Sequence, residues 1–304
     1  MRVLVVLVAL AVAALALGAM IWRDAAALTR PASSVDPALA RLTPRSAFGA
    51  AFSEVAFAAA PGARLRGWLV PARKDAKDLI VVAMHGRGGD RHTALPHARL
   101  WREAGAAALL IDLRGAGESD GQGLGNGLAM REAEDALAAA EAARAFGYRR
   151  VVVAGWSLGA SAAILAAARD RKIDGLMVEC ALKSFPDYGA DIVQARFGGL
   201  APRAIAAPLG TAIVALGRWR AGVGPLTAPV DVIEQIAPRP ILILHGARDA
   251  VTPPYHGWEL ARAAGETARL VTLPNAAHCD GLRADEAAYR AAVLDFLGAI
   301  AAAP

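Results

Sequence analysis

Apolar runs rich in Val, Ile and Leu alternate along this chain with alanine-rich stretches of helical length, and this alternation restricts the fold more than any other feature. The runs lie in LIVVAMHG, AALLIDLRG, RVVVAG, GLMVEC and RPILILHG, and their apolar character is typical of strands covered on both faces. Strands that alternate with helices form a mostly parallel sheet with helices on both sides. The sequence therefore predicts an α/β fold.

Further elements complete this pattern. Two earlier strands, SEVAF and ARLRGWLVP, are predicted to form an antiparallel pair joined at Pro61 and Gly62, and ARLVTLP is predicted to be the last strand. Helices are predicted over residues 94–104, 129–146, 158–168, 257–264 and 286–301.

One region interrupts the alternation. About 58 residues separate GLMVEC from RPILILHG. They are rich in aromatic and aliphatic residues: Phe185, Tyr188, Phe197, Leu200, Leu209, Val214 and Trp219. Such an insertion is either a lid or pocket wall above the sheet, or a set of ordinary helices packed on the core.

An uncharged apolar stretch of 20 residues, 3–22, lies near the N-terminus. As a helix it spans about 30 Å, the thickness of a bilayer core, and Arg2, Trp22 and Arg23 flank it as interfacial residues do. We expect residues 1–23 to be an uncleaved membrane anchor that places the rest of the chain outside the cytoplasm. A cleaved signal peptide, with its small-x-small site at residues 14–16, and a buried helix of a soluble protein are the alternatives.

The remainder divides into a linker and one large domain. Residues 24–48 carry Pro31, Pro37 and Pro44 and are predicted to be a loosely packed linker, whereas residues 49–304 are long enough to bury a core. The net charge of +5 comes from scattered arginines, so no nucleic-acid partner is expected. The two cysteines, Cys180 and Cys279, are expected to be free, partly buried thiols rather than a disulfide framework.

Ser157 stands between Gly155 and Gly159 in VVVAGWSLGASAAI, where a β-branched run gives way to a helix. In so tight a turn the central residue takes a strained backbone conformation, and small residues two positions before and after it relieve the crowding. The turn lifts the serine hydroxyl off the C-terminal edge of the sheet. Ser157 is therefore the candidate nucleophile; the alternative is a glycine-flanked turn without chemistry.

A serine nucleophile needs a base. His278 follows the last strand in LPNAAHCDG, at the sheet edge where Ser157 is expected, and is the candidate base. Of the five other histidines, two end an apolar strand and are predicted to be structural: His85 and His245. The other three are placed in or beside surface helices: His92, His97 and His256.

The base needs a carboxylate that orients the imidazole and stabilises the imidazolium. Asp249 in ILILHGARDAVTPP lies just past a strand at the same edge and is the candidate acid. Asp112 also follows a strand, but it precedes the serine and heads a glycine-bearing loop, so we interpret it as structural. Glu179 and Asp280 are weaker alternatives.

Acyl transfer also needs hydrogen-bond donors for the oxyanion. The glycines of HGRGGDR, after the third strand, let the backbone bend back over the serine. The N–H groups of Arg87 and Leu158 are the predicted donors. Taken alone, HGRGG fits a plain glycine turn equally well.

Five motifs, HGRGG, DLRGAGES, GWSLG, HGARD and AAH, occur in this order within residues 53–300. In these motifs, and in the order Ser157, Asp249, His278, the chain resembles the α/β-hydrolase superfamily. It is most similar to serine esterases, thioesterases and prolyl-oligopeptidase-like peptidases that carry a D-x-R-G-x-G-x-S loop. The resemblance implies an eight-stranded sheet with an antiparallel second strand, and a cap after the sixth strand, at about residues 182–230, that roofs the serine.

The site residues and the resemblance together predict a serine hydrolase that cleaves esters or thioesters of apolar acyl groups through an acyl-enzyme. We expect a small-molecule acyl substrate, an acyl pocket under the insertion, and no metal or cofactor. A serine peptidase on the same triad is one alternative, and a catalytically silent binding scaffold is another. The motifs leave ester, thioester and amide open, and they leave the oligomeric state open.

Overall fold

The computed structural model describes residues 1–31, 34–60, 62–74 and 78–303. Within these residues one sheet contains the strands β1 (Ser53–Ala59), β2 (Ala63–Val70), β3 (Leu79–Met84), β4 (Ala107–Asp112), β5 (Arg150–Trp156), β6 (Gly175–Glu179), β7 (Ile241–Gly246) and β8 (Ala268–Leu273). Their order is β1-β2-β4-β3-β5-β6-β7-β8, and β2 is antiparallel to both of its neighbours while the other pairs are parallel. The predicted sheet is confirmed; Pro61 of the predicted first turn lies outside the described residues.

The described helices are α1 (Arg2–Thr29), α2 (Pro44–Phe48), α3 (Leu95–Glu103), α4 (Met130–Ala145), α5 (Leu158–Arg169), α6 (Phe185–Arg196), α7 (Arg203–Ala221), α8 (Pro229–Val232), α9 (Tyr255–Ala264), α10 (Gly281–Ala284) and α11 (Glu286–Ala302). The predicted helices correspond to α3, α4, α5, α9 and α11, and their ends agree to within two residues.

Alternate residues of the central strands face two separate cores. In β3, Ile80 and Val82 pack on the side of α4 and α5, whereas Val81 and Ala83 pack on the side of α3 and α11. Every residue of β3, β4 and β7 is buried. Burial on both faces explains why these strands are unbroken apolar runs.

The sheet topology creates a crevice at one edge. In the sheet, β4 lies on one side of β3 and β5 lies on the other. The chain runs from β3 toward the first side, into β4, and from β5 toward the second side, into β6. The loops that follow β3 and β5 therefore diverge at the carboxyl ends of these strands. The parallel strands β3, β5, β6, β7 and β8 all end at this edge. The loops that follow them therefore meet there.

Helix α1 is long and apolar enough to cross a membrane, with a mean hydropathy of 2.9 over its most apolar window. It continues further than predicted, because the expected linker from residue 24 begins as a helix that is packed on the domain. Asp24 and Thr29 are buried, Asp24 pairs with Arg196 of α6 at 3.1 Å, and Gly217 of α7 lies against residues 25–29. The helix ends before Pro31, as the restriction on residues that precede proline requires.

The insertion between β6 and β7 contains α6, α7 and α8. Helices α6 and α7 cross at Gly189 and Gly210, where a Cβ on Gly189 would lie 2.5 Å from the carbonyl oxygen of Gly210. Phe185 and Ile213 are buried in the core cluster that covers one face of the sheet. Much of the insertion is thus packed on the core.

Candidate active site

Ser157 lies in the turn between β5 and α5 with φ 51° and ψ −114°, a conformation that is strained for a residue with a side chain. A Cβ on Gly155 would lie 2.4 Å from the Gly159 carbonyl oxygen, and one on Gly159 would lie 2.2 Å from that of Met84. The two glycines therefore permit the close approach of β5, α5 and β3 that the turn requires.

The structure brings Ser157, His278 and Asp249 together. His278 Nε2 lies 3.1 Å from Ser157 Oγ, and His278 Nδ1 lies 2.8 Å from Asp249 Oδ2. Asp249 is buried, and its Oδ1 accepts hydrogen bonds from the backbone N–H groups of Val251 and Thr252 at 2.9 and 2.8 Å. The aspartate is thus held from one side and orients the histidine from the other.

The other carboxylates that the sequence offered have different partners. Asp112 accepts hydrogen bonds from the N–H groups of Arg91 and Glu118, at 2.8 and 2.9 Å, and pairs with the Arg91 guanidinium at 3.1 Å. It holds the glycine-bearing loop after β4, as predicted. Asp280 pairs with Arg283 at 2.6 Å.

The backbone around Arg87 lies beside the serine. A Cβ on Gly86 would contact the Ser157 side chain at 3.6 Å, so the loop after β3 passes directly over the turn at Ser157. Among the described residues, no hydrogen bond engages the N–H of Arg87 or of Leu158. The Arg87 guanidinium donates to the Ala27 carbonyl at 3.0 Å, which ties this loop to the end of α1.

A cavity of about 420 Å³ lies over Ser157. Arg87, Trp156, Val251 and His278 line it, and the insertion contributes Tyr188 of α6 to the described lining. The predicted roof of apolar insertion residues over the serine is not formed among the described residues beyond Tyr188: Phe185 and Val214 are buried in the core. Of the apolar residues predicted for this roof, Phe197, Leu200 and Trp219 are exposed.

Two family models match this chain: serine aminopeptidase, S33, over residues 75–208, and TAP-like protein, over residues 219–299. YfhR of Salmonella typhi is 26% identical over 250 residues, or 80% of each chain, and Rv2307c of Mycobacterium tuberculosis is 28% identical over 224 residues, or 72% of this chain and 69% of that one. The Pyrococcus furiosus esterase Pf2001 superposes with a TM-score of 0.71 at 19% identity, over 89% of this chain and 97% of that one. Est1E of Butyrivibrio proteoclasticus, with ferulic acid bound, gives 0.61 at 20% identity, over 80% and 97%. This chain has the α/β-hydrolase fold.

Glu179 lies behind the sheet edge that carries Ser157. It accepts hydrogen bonds from the Trp156 indole at 3.0 Å and from the N–H of Gly281 at 2.8 Å. It thereby links the turn at Ser157 to the loop that carries His278. Burial raises the pKa of Glu179 to about 7. The sequence presented Glu179 only as an alternative acid, and its bridging position depends on residues far away in the chain.

The prediction of two free thiols is wrong. Cys180 and Cys279 form a disulfide across 99 positions of sequence. The bond joins the end of β6 to the residue that follows His278. Both cysteines follow strands that end at the same sheet edge. This shared position was the sequence feature from which the disulfide could have been predicted.

The two sulfurs and a His278 nitrogen lie within 4.8 Å of one another, which resembles a metal-ligand cluster. Cysteine binds metals as the thiolate, however, and both sulfurs are committed to the disulfide. The group therefore does not fit a metal ion.

Two of the histidines placed at the surface are enclosed. His256 is buried, with Nε2 at 2.7 Å from Asp191 of α6, so it fastens the insertion to α9. His97 packs against Trp156, with ring centroids 4.4 Å apart, and lines the cavity over Ser157. Burial lowers the pKa of His97 to about 3. Helix periodicity failed here because distant elements cover these faces.

Proposed function

We propose that this protein is a serine hydrolase that cleaves carboxylic esters or thioesters of apolar acyl groups. The observation that carries the proposal is the continuous contact from Ser157 through His278 to Asp249, at 3.1 and 2.8 Å. Ser157 Oγ attacks the acyl carbon while His278 Nε2 takes the hydroxyl proton. The N–H groups of Arg87 and Leu158 stabilise the oxyanion.

The collapse of this tetrahedral intermediate releases the leaving group, which takes the proton from His278 and leaves an acyl-enzyme on Ser157. Water then attacks the acyl-enzyme with His278 again as base. Asp249 keeps the imidazole in the tautomer and orientation that both steps need.

We also propose that α1 anchors the enzyme in a membrane, with the catalytic domain on the side away from the cytoplasm. The apolar residues up to Ala19 are exposed, whereas the end of α1 is packed on α7, which supports an anchor held rigidly to the domain. The disulfide beside His278 supports an oxidising compartment. A secreted form after signal cleavage would also be consistent with the disulfide.

A fluorophosphonate probe and a panel of short esters test the proposed chemistry. Ser157→Ala should abolish labelling and lower kcat by about 10⁶-fold, whereas Ser161→Ala, one helical turn away, should still label. Asp249→Asn should lower kcat by about 10⁴-fold. A folded Asp112→Asn variant without activity, beside an active Asp249→Asn variant, would mean that the wrong acid was assigned.

The second candidate is a serine peptidase on the same residues. It is favoured by the match to the serine aminopeptidase model over residues 75–208. Esters, thioesters and aminoacyl amides of the same acyl groups should be compared directly. Higher kcat/KM on the amides would promote the peptidase above the esterase, and a wild-type protein that never labels would support a silent scaffold.

A further inference from the structure

A second cavity, of about 690 Å³, adjoins the one over Ser157, and the two share His97 and Cys279 as lining residues. Its volume is in the range of small-molecule sites. The chemistry proposed for Ser157 uses the first cavity and leaves this larger one without a role.

The wall of the second cavity is largely apolar. Leu42 and Phe48 come from the segment that joins α1 to the domain, Leu95 and Leu100 from α3, and Leu282 from α10. Leu42 and Phe48 are only half-buried, so a ligand in the cavity would cover apolar surface that is now accessible. The predicted loose linker thus forms part of a binding wall.

The cations along this cavity already have partners. Arg99 and Arg290 both contact Glu103, at 3.5 and 2.5 Å, and Arg283 contacts Asp280 at 2.6 Å. Glu103 alone cannot balance both Arg99 and Arg290, but Glu286 also lines the cavity and interacts with Arg290, so three carboxylates compensate the three cations. The cavity therefore suits a neutral hydrocarbon group.

His97 stands where the two cavities meet. Both of its ring nitrogens are buried, and the Thr93 carbonyl, one helical turn earlier, accepts from at most one of them. The neutral imidazole has one donor and one acceptor, and a buried polar group without a partner is unfavourable. A ligand hydroxyl at this junction would donate to the remaining ring nitrogen.

The direction of proton transfer from His278 indicates which part of the substrate the second cavity holds. His278 protonates the leaving-group atom, so the leaving group lies beside its Nε2. Cys279 and Asp280, which follow His278 directly, line the second cavity. We propose that this cavity holds a neutral hydrocarbon chain carried by the leaving group of the ester or thioester, while the acyl group occupies the first cavity. The proposal rests on the proposed function, because it needs His278 to act as assigned.

Butyrate esters of alcohols from methanol to hexanol test this assignment on the full-length protein in detergent. For the wild type, kcat/KM should rise about fourfold for each methylene that fits. Ala47 is a small, half-buried lining residue, and Ala47→Trp should lower the ratio of hexyl to methyl kcat/KM at least tenfold. Leu282→Trp is a second filling variant, and Ala40→Trp, on an exposed position of the same segment, should keep the wild-type ratio.

Equal ratios of hexyl to methyl kcat/KM in the wild type and in both filling variants would overturn the proposal. It would also be overturned if the filling variants instead flattened a matched series of methyl esters from acetate to octanoate, because the cavity would then hold the acyl chain. A wild type that hydrolyses no ester and does not label with a fluorophosphonate would refute the proposed function itself. A protein that labels but shows a flat alcohol series would refute only the present inference.

Discussion

Removal of the disulfide by a double substitution, Cys180→Ser/Cys279→Ser, should destabilise the hydrolase strongly. The bond closes a loop of 99 positions. Constraining the unfolded chain over a loop of about 100 residues corresponds to roughly 4.7 kcal/mol at 25 °C. Loss of a native disulfide typically costs about 2–5 kcal/mol, and we expect the free energy of unfolding to fall within that range.

The same variant should also lose activity. Cys279 follows His278, whose Nε2 lies 3.1 Å from Ser157 Oγ, so release of the sulfur frees the loop that positions the proposed base. A misplacement of about 1 Å can lower a rate about 100-fold. We expect kcat to fall by about 10- to 100-fold, with a smaller change in KM.

Urea unfolding followed by tryptophan fluorescence would measure the stability of the full-length protein in detergent, and ester hydrolysis would measure kcat. Alkylation and mass spectrometry, with and without reductant, would count the thiols. Cys180→Ser and Cys279→Ser alone should match the double variant, because either one breaks the bond. A double variant with the wild-type unfolding midpoint and the wild-type kcat would refute the reasoning.

Three further predictions concern the carboxyl behind the site, the nucleophile turn and the anchor. Because burial raises the pKa of Glu179 to about 7, the fold favours its protonated form, so the stability it contributes is present below about pH 4.5 and is lost as pH rises through 7. Relative to Glu179→Gln, the free energy of unfolding of the wild type should fall by roughly 3 kcal/mol between about pH 4.5 and 7. Parallel curves of unfolding free energy against pH for the two proteins would contradict this. Gly159→Ala should destabilise by about 1–3 kcal/mol, since its Cβ would lie 2.2 Å from the Met84 carbonyl oxygen, whereas Gly298→Ala in α11, with nothing within 4 Å, should be neutral or stabilising in the same unfolding assay. Full-length protein should stay in the membrane fraction after carbonate extraction, and a soluble form that begins between about residues 17 and 28 would indicate signal cleavage instead.

The order of the secondary-structure elements was accessible from the sequence, because it depends on local patterns. Strands buried on both faces need unbroken apolar runs, and β3 and β7 show them. The turn at Ser157 could also be predicted, because small residues two positions before and after it are a local steric requirement. A Cβ would approach a carbonyl oxygen to 2.4 Å at Gly155 and to 2.2 Å at Gly159. The parallel topology then explains why loops far apart in sequence meet at one edge.

The tertiary structure decided which groups became partners. The sequence placed Cys180 and Cys279 at two strand ends, but only the folded sheet brings them close enough to bond. His97 and His256 lie in helices whose own periodicity does not reveal what covers them, and residues 39–48, predicted to be loose, line a cavity because α3 and α10 lie opposite. Local sequence determines backbone conformation through short-range sterics and hydrophobic pattern, whereas burial, pairing and cavity shape depend on contacts between distant segments, which form only when the chain folds.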